Sequence, residues 1–293
     1  MSLFKGSGVA VVTPFYDDGT VNYEKLGELL EWHVSNQTDA IIIVGTTGEA
    51  PTLENDEHRE VIRYACDRIG GRIPVIAGTG SNNTHHAIEN SQYAESVGAD
   101  GLLLVTPYYN KSTQHGLIEH FTAIADNVNI GCVLYNVPGR TGVNLEPATI
   151  AKLAEHKNIV GCKEASGDIS QVVEISRVTP DDFYLWSGND DMIVPLLSVG
   201  GHGVISVVAN VMPKETHDLV MNYLEGDVKA SAKLQLEMKP LIDALFCETN
   251  PVPVKVAMNM MGWHVGPLRL PLTDMLDANK DRLKRELEAM NLL

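Results

Sequence analysis

Cysteine is scarce in this sequence, and no two cysteines have the spacing of a redox or metal motif. The four thiols lie inside apolar segments, at Cys66, Cys132, Cys162 and Cys247, with no CxxC pair among them. A disulfide-stapled fold needs dense, paired cysteines. We therefore expect reduced packing residues in a chain that folds through its hydrophobic core.

Long hydrophobic runs and excess positive charge are also missing. The longest apolar runs, 40–44 and 102–105, are far shorter than the ~20 residues that cross a bilayer. The N-terminal letters MSLFKGSGVAVV contain neither a long apolar core nor a small-residue cleavage site, so we expect no signal peptide and a cytoplasmic location. Lys plus Arg number 22 against 38 Asp plus Glu, a net charge of −16. Because this charge repels phosphate backbones and acidic membranes, we expect a small-molecule partner, no nucleic acid and no membrane.

The length and composition fit an ordinary globular core. The 293 residues correspond to roughly two domains of about 150, although barrels of about 250 residues commonly form one domain. Apolar residues make up 44% and charged residues 20%, which excludes a disordered or fibrous chain.

Short β-branched runs alternate with longer amphipathic segments along most of the chain. Eight candidate strands cover 9–13, 40–44, 74–77, 101–105, 131–135, 159–163, 184–187 and 203–207. Eight candidate helices follow them, over 23–36, 56–68, 84–97, 114–126, 146–155, 169–177, 191–199 and 213–225. This alternation predicts an α/β fold in which eight βα units close into a (β/α)8 TIM barrel without sheet edges.

An open, doubly wound sheet is the competing architecture. Such sheets usually have fewer strands and a glycine-rich turn after the first strand, where this chain has Thr13-Pro14-Phe15. After Glu225 the strand pattern stops, and three helices are predicted at 228–246, 252–262 and 274–290. We therefore expect a barrel domain over residues 1–225 and a C-terminal helical domain over 226–293 that packs beside it.

Lys163 ends the sixth candidate strand, and barrels of this type place their active sites at the carboxyl ends of the strands. Alternation puts Ile159, Gly161 and Lys163 on one face, with Gly161 leaving a void below the ammonium. Burial disfavours the charged form of lysine, and a neutral amine attacks carbonyl carbon. The simpler alternative is a strand-end lysine that extends to solvent.

Tyr135 ends the fifth candidate strand, next to that of Lys163, and shares a face with Gly131 and Val133. Formation of a Schiff base needs a hydroxyl relay that takes a proton from nitrogen and gives it to the departing oxygen. Tyr135 could supply this relay. Otherwise it is a core tyrosine with a satisfied hydroxyl.

A polar turn follows the second strand. Thr46 is predicted on the face of Ile42 and Val44, and with Thr47 and Gly48 it offers hydroxyl and backbone N–H groups that suit a carboxylate. An ordinary turn has the same composition, so the function stays open on these residues alone.

Two loops carry the remaining candidates. Arg140 follows a Pro-Gly turn, and its planar guanidinium could hold a second carboxylate or lie solvated on the surface. Tyr108 and Tyr109 are adjacent, so both rings cannot fill one pocket. Either one ring reaches a partner subunit or both cover the rim of the barrel.

We expect no metal and no cofactor. The ten histidines are scattered, with His85-His86 as the only adjacent pair, and their spacings match no common ligand motif. Gly78-Thr79-Gly80 lacks the sequence context of a phosphate-binding loop.

Taken together, five motifs in order resemble the dihydrodipicolinate synthase family, and the likeness extends over nearly the whole chain. They are GTTGE at 45–49, TPYYNK at 106–111, YNVPGRTG at 135–142, KEASGD at 163–168 and GGHGVISVVAN at 200–210. The resemblance implies a (β/α)8 lyase that condenses pyruvate with L-aspartate 4-semialdehyde to give 4-hydroxy-tetrahydrodipicolinate, the committed step of diaminopimelate and lysine biosynthesis.

The resemblance also implies residue roles. Lys163 would form the Schiff base, and a relay would comprise Tyr135, Thr46 and Tyr109, the last from the neighbouring subunit of a tight dimer. The substrate-binding groups would be Thr47 for pyruvate, Arg140 for the semialdehyde carboxylate, and the backbone of Gly188 and Ile205. Family members are usually homotetramers made of two tight dimers.

One departure concerns feedback by lysine. Members of the family that lysine inhibits carry Ser, His and Glu in a groove at the dimer interface, where this chain has Ala50, Asn55 and His86. Three other positions match, namely His58, Asn82 and Tyr108. Because the negative charge that would contact the effector's ammonium is missing, we expect weak or absent inhibition.

Two other functions remain open on the sequence. One is another pyruvate-dependent aldolase such as N-acetylneuraminate lyase or a 2-keto-3-deoxygluconate aldolase, although Arg140 favours a small acid over a sugar. The other is a non-catalytic barrel that binds a keto acid, which would need neither Lys163 nor a hydroxyl relay.

Overall fold

Eight parallel strands close into a barrel in chain order in the computed structural model, which describes residues 3–293. The strands are β1 Gly6–Ala10, β2 Ala40–Ile43, β3 Val75–Gly78, β4 Gly101–Val105, β5 Gly131–Asn136, β6 Ile159–Glu164, β7 Tyr184–Ser187 and β8 Gly203–Ser206. β8 pairs with β1 through Gly6 opposite Gly203 and Gly8 opposite Ile205. The sheet therefore has no free edge, and the predicted TIM barrel is confirmed.

Helices surround the barrel and continue into the C-terminal tail. Those of the barrel are α1 Tyr23–Ser35, α2 Asn55–Ile69, α3 Thr84–Ser96, α4 Gln114–Ala125, α5 Pro138–Thr141, α6 Pro147–Leu153, α7 Ile169–Val178, α8 Ile193–Leu197 and α9 Pro213–Leu224. Those of the tail are α10 Val228–Leu245, α11 Val252–Met260 and α12 Asp277–Ala289. Short polar side chains begin several of them: Asn22, Thr113 and Asp168 accept hydrogen bonds from the first-turn N–H groups of α1, α4 and α7.

Within the barrel, two predicted elements differ most from the observed ones. The first strand was predicted at 9–13, but β1 lies three residues earlier, because Gly6 to Val9 pair with β8 and the apolar run continues beyond the ladder. The predicted helix 191–199 is a 3-10 turn at Asp190–Met192 followed by the short α8. Pro195 lies in the first turn of α8, where its missing N–H costs no helical hydrogen bond.

The barrel interior and the layer between strands and helices form separate cores. Ile42, Leu103, Val133 and Trp186 belong to the interior cluster. The outer cluster joins the other face of strands β1 to β7 to the surrounding helices, as with Ile41 of β2 and Leu26 of α1. Alternate residues along each strand thus serve opposite cores.

A register shift in β6 overturns one predicted face. Cys132 pairs with Ile159, but the next residue of β5, Val133, pairs with Gly161, so Val160 is an extra residue on β6. Ile159 consequently packs in the outer cluster and Val160 in the interior. The predicted common face of Ile159 and Lys163 is therefore wrong, although Gly161 and Lys163 keep theirs.

The C-terminal helices share a core with the barrel. One cluster contains Leu241 of α10, Met258 of α11 and Leu283 of α12 together with Val204 of β8 and Leu29 of α1. The boundary between residues 225 and 226 stays a prediction. Across residues 3–293, no helix has the length and apolarity that a membrane span requires.

Candidate active site

Lys163 and Tyr135 lie side by side at the carboxyl ends of β6 and β5. They are partners in the strand register, and both are buried, with 5% and 7% of their surface exposed. The Lys163 Nζ atom lies 4.4 Å from the centroid of the Tyr135 ring. The structure thus brings together the amine and the phenol that the sequence singled out.

Trp186, which the sequence analysis missed, fills the space beside Gly161. A Cβ atom on Gly161 would lie 2.6 Å from the Trp186 ring and 2.3 Å from the carbonyl oxygen of Tyr184. Glycine therefore makes room for the indole, and the predicted void below Lys163 does not exist. Trp186 is fully buried and is the register partner of Lys163 on β7. The sequence feature that could have indicated this contact is the position of a tryptophan inside the short candidate strand 184–187.

The loop after β2 carries Thr46 and Thr47 in a strained turn. Val44 has φ 49°, which is rare for a β-branched residue, and Glu49 has φ 54°. The strand ends at Ile43, so Val44 packs in the outer cluster and does not share the interior face of Ile42. The predicted common face of Ile42, Val44 and Thr46 is therefore wrong.

A cavity at this face of the barrel nonetheless collects most of the predicted residues. It has a volume of about 70 Å³, and its lining includes Thr46, Thr47, Tyr135, Arg140, Lys163 and Gly188. A Cβ on Gly188 would lie 2.6 Å from the Ala165 Cβ and 3.0 Å from Lys163 Cε, so glycine lets this backbone pack closely against Ala165 and the lysine side chain. The cavity shares Thr46, Tyr135 and Arg140 with a larger groove of about 440 Å³.

Arg140 is exposed at the border of both cavities. Pro138 begins the short helix α5, and Gly142, with φ 72°, caps the end of that helix. The predicted Pro-Gly turn is therefore the first turn of a helix. The Nη2 atom donates to the backbone oxygen of Asn250 at 3.1 Å. Arg140 takes part in none of the ion pairs found within residues 3–293, which leaves its charge available to an anion.

Asn250 is a second residue that the sequence analysis missed, and it comes from the C-terminal tail. Its Nδ2 atom donates to the Thr47 hydroxyl at 3.0 Å, and its side chain lines the small cavity. Together with its backbone bond to Arg140, this contact makes Asn250 a bridge between two candidate binding groups. No local periodicity could indicate a contact over this sequence distance.

Two predicted residues lie away from the small cavity. Ile205 is fully buried in the interior cluster and is not among the described residues that line either cavity. Tyr109 is 93% exposed, with φ 70°, and within a single chain its ring is far from buried. Its neighbour Tyr108 lines the larger groove.

The larger groove also contains the positions compared for lysine feedback. Ala50, Asn55, His58 and His86 line it. Asn82 supports its rim by donating to the backbone oxygen of Tyr108 at 3.2 Å. Within residues 3–293, no three His, Cys, Asp or Glu side chains are grouped to hold a metal ion.

This architecture is that of a TIM-barrel protein with a lysine-centred cavity at the carboxyl ends of its strands. The model of the dihydrodipicolinate synthetase family matches residues 3–290, and the chain belongs to this family. The resemblance inferred from the motifs is thereby confirmed.

Similar proteins are known at high identity. The 4-hydroxy-tetrahydrodipicolinate synthase of Thermoanaerobacter sp. (strain X514) is 57% identical over 294 residues, which cover 100% of this chain and 99% of the relative. That of Clostridium tetani is 57% identical, covering 98% of each chain. The solved dihydrodipicolinate synthase of Aquifex aeolicus superposes with a TM-score of 0.97 at 46% identity, covering 99% of both chains.

Proposed function

We propose that the chain is a 4-hydroxy-tetrahydrodipicolinate synthase, a lyase that condenses pyruvate with L-aspartate 4-semialdehyde through a Schiff base on Lys163. The observation that carries the proposal is the buried Lys163 amine beside Tyr135 in a cavity at the barrel mouth. Family membership and the names of the relatives support it. The enzyme would work in the cytoplasm, in the biosynthesis of diaminopimelate and lysine.

The reaction begins with the lone pair of the Lys163 amine nitrogen attacking the keto carbon of pyruvate. The resulting carbinolamine loses its oxygen as water and becomes a protonated imine, with Tyr135 and Thr46 moving the protons between nitrogen and oxygen. The methyl carbon then loses a proton to the same hydroxyl relay, and the electron pair of its C–H bond moves towards the imine nitrogen. The enamine so formed attacks the aldehyde carbon of the second substrate, making the new carbon–carbon bond while the aldehyde oxygen takes up a proton from the relay. Attack on the imine carbon, by the substrate's own amino group or by water, then releases the Lys163 amine.

Two separate groups would bind the two carboxylates. Thr46 and Thr47 would hold pyruvate, and the Thr47 hydroxyl is already oriented by Asn250. Arg140 would hold the semialdehyde carboxylate and raise its local concentration at the enamine. The backbone of Gly188 lines the small cavity and would complete the pocket, whereas a role for Ile205, which does not line it, stays a prediction from the resemblance.

Substitution of Arg140 tests the choice of second substrate. We expect Arg140→Ala to lower kcat/KM for the semialdehyde by about 100-fold, because a charge-assisted contact is lost, while pyruvate still forms the imine. Arg140→Lys keeps the positive charge but loses the planar guanidinium that forms two parallel hydrogen bonds. Its kcat/KM should lie between those of the parent enzyme and Arg140→Ala. Steady-state kinetics with each substrate varied would measure this. Faster cleavage of N-acetylneuraminate than consumption of semialdehyde by the parent enzyme would instead favour a sugar-acid lyase.

Tyr109 leads to a proposal about assembly. Because its ring is 93% exposed in one chain, it can join the relay only in a second copy's site. We propose a tight homodimer in which each chain supplies Tyr109 to the other, and a homotetramer of two such dimers. One similar solved structure, 44% identical, is described as a monomeric variant of dihydrodipicolinate synthase.

Mixing two inactive variants tests this exchange. Tyr109→Phe and Lys163→Ala should each be poorly active alone, but a mixed dimer contains one site with both native residues. Random re-association of equal amounts makes about half of the dimers mixed, each with one complete active site out of two. About a quarter of the native number of active sites should therefore return. Activity after mild dissociation and mixing is the measurement. No recovery, with heterodimers detected by native mass spectrometry, would mean that Tyr109 serves its own chain.

The lining of the larger groove supports weak feedback by lysine. None of the described residues that line it is Asp or Glu, whereas the guanidinium of Arg140 is part of its lining. We expect millimolar lysine to leave initial rates nearly unchanged, and His86→Glu to strengthen inhibition more than the neutral His86→Gln. Strong inhibition of the unmodified enzyme would contradict this expectation.

A further inference from the structure

We infer that Glu164 and Asn136 form a buried positioning pair that keeps Lys163 and Tyr135 side by side, an inference that rests on the proposed function. Each member directly follows one of the two site residues along its strand, and the two members are register partners. Because side chains alternate along a strand, the pair lies on the opposite side of the sheet from the Lys163 amine and the Tyr135 ring.

The side chains of this pair are closely bonded to each other and to their surroundings. Asn136 Nδ2 donates to Glu164 Oε2 at 2.9 Å and to Asn144 Oδ1 at 2.8 Å. Asn136 Oδ1 accepts from the backbone N–H of Leu145 at 2.9 Å. Asn136 is therefore held on both sides by the segment that follows α5.

Glu164 is held equally firmly, through acceptor contacts alone. Its carboxylate accepts from the Ser166 backbone N–H at 2.7 Å and from Gln171 Nε2 at 3.3 Å, in addition to Asn136. Gln171 is itself joined to Asn144, whose Nδ2 donates to its Oε1 at 2.7 Å. A closed network thus connects β5, β6 and α7 directly behind the site.

The chemistry of Glu164 indicates a positional role. Every partner of the side chain is a donor, and only a carboxylate offers two acceptor oxygens to them. Only 3% of the residue is exposed, and it belongs to none of the ion pairs within residues 3–293. Burial raises the pKa of this carboxyl, and a buried acid without a cation costs solvation free energy. Its hydrogen bonds fix the ends of β5 and β6 despite that cost.

The backbone transmits this constraint to the reacting groups. Asn136 O accepts from Ala165 N at 2.9 Å, and Glu164 O accepts from Gly188 N at 2.7 Å, so the pair also occupies the last ladder positions before the loops. If these ends loosen, Lys163 moves relative to Tyr135. Misplacement of reacting groups by about 1 Å can cost on the order of 100-fold in rate.

Glu164→Ala and Glu164→Gln test the inference, with pyruvate and borohydride as the probe of imine formation. We expect Glu164→Ala to slow imine trapping and kcat by about 10- to 100-fold, with little change in KM for either substrate. Glu164→Gln keeps one acceptor oxygen, so its rate of imine trapping and its kcat should fall less than those of Glu164→Ala. Ser231→Ala is the control: it removes a buried bond of 2.7 Å to the Leu219 carbonyl, far from the site, and should lower thermal stability without lowering kcat.

The outcomes distinguish a failure of the positioning role from a failure of the proposed function. If the parent enzyme traps pyruvate and folded Glu164→Ala traps it at the parent rate, the positioning role is wrong. If Glu164→Ala does not fold, Glu164→Gln and Asn136→Ala replace it as the test. A kcat equal to that of the parent enzyme in both variants would likewise show that the positioning role is wrong. Failure of the parent enzyme to trap pyruvate would refute the proposed function itself, and the positioning role with it.

Discussion

Replacing Lys163 with alanine is expected to abolish turnover, with kcat falling on the order of 10⁴-fold or more, because no imine can form without this amine. Treatment with pyruvate and borohydride should add to the parent enzyme the mass of pyruvic acid less one oxygen atom. Peptide mapping should place that mass on Lys163. The alanine variant should gain none.

Lys255 provides an internal control for this experiment, since it is the other deeply buried lysine that the structure places near the site. Its amine is fully occupied, with Glu49 Oε1 at 2.7 Å and the carbonyl oxygens of Thr13 and Pro267 at 3.1 and 2.6 Å. We expect no adduct there. An adduct on Lys255, or unchanged turnover in Lys163→Ala, would refute the proposed mechanism while leaving the fold intact.

Replacing Lys255 with methionine is expected to produce the largest loss of stability of any single change discussed, about 3–5 kcal/mol in the free energy of unfolding. Lys255 lies in α11 of the tail and pairs with Glu49 in the loop after β2, and both side chains are almost completely buried. Burial lowers the pKa of Lys255, while the Glu49 carboxylate opposes that shift. Without Lys255, the Glu49 carboxylate stays buried and loses its ion-pair partner. The backbone N–H of Arg269 still donates to it at 3.0 Å, but the Arg269 guanidinium is paired with Glu57 and does not replace the direct contact.

Urea denaturation followed by circular dichroism measures this loss, and Lys214→Met is the matched control. Lys214 pairs with Asp218 at 2.8 Å, but its side chain is 53% exposed, so its removal should cost less than about 1 kcal/mol. The double variant Glu49→Gln with Lys255→Met should recover part of the stability, because the unpaired charge is gone. Equal denaturation midpoints for Lys255→Met and Lys214→Met would show that the buried pair contributes nothing.

Local patterns predicted most of the barrel because each strand and helix has its own periodicity. The bounds of β4 and β7 agree with the prediction, and those of β2 and β8 differ by one residue. β1 was displaced because its limits depend on where β8 provides partners, and that information lies about 200 residues away in the chain.

Near the site, the sequence predictions failed where the strands depart from the regular alternation of side chains between the two faces of the sheet. Val44 leaves the interior face because its backbone turns at positive φ, and Val160 is inserted by a register shift. A period of two assumes an unbroken ladder, so neither change could be predicted from one strand. The neighbour of Gly161 was missed for a related reason: which side chain fills a glycine's space is decided by the adjacent strand.

The sequence by itself determined the eight-unit barrel and the neighbouring positions of Lys163 and Tyr135, because periodicity, spacing and strand order are local properties of the chain. Only the tertiary structure decided that Asn250 joins Thr47 to Arg140 and that Lys255 meets Glu49. These contacts link residues 110 to 206 positions apart, and they form only when the tail packs against the closed barrel. Packing of that kind depends on the whole three-dimensional arrangement, which no local pattern records.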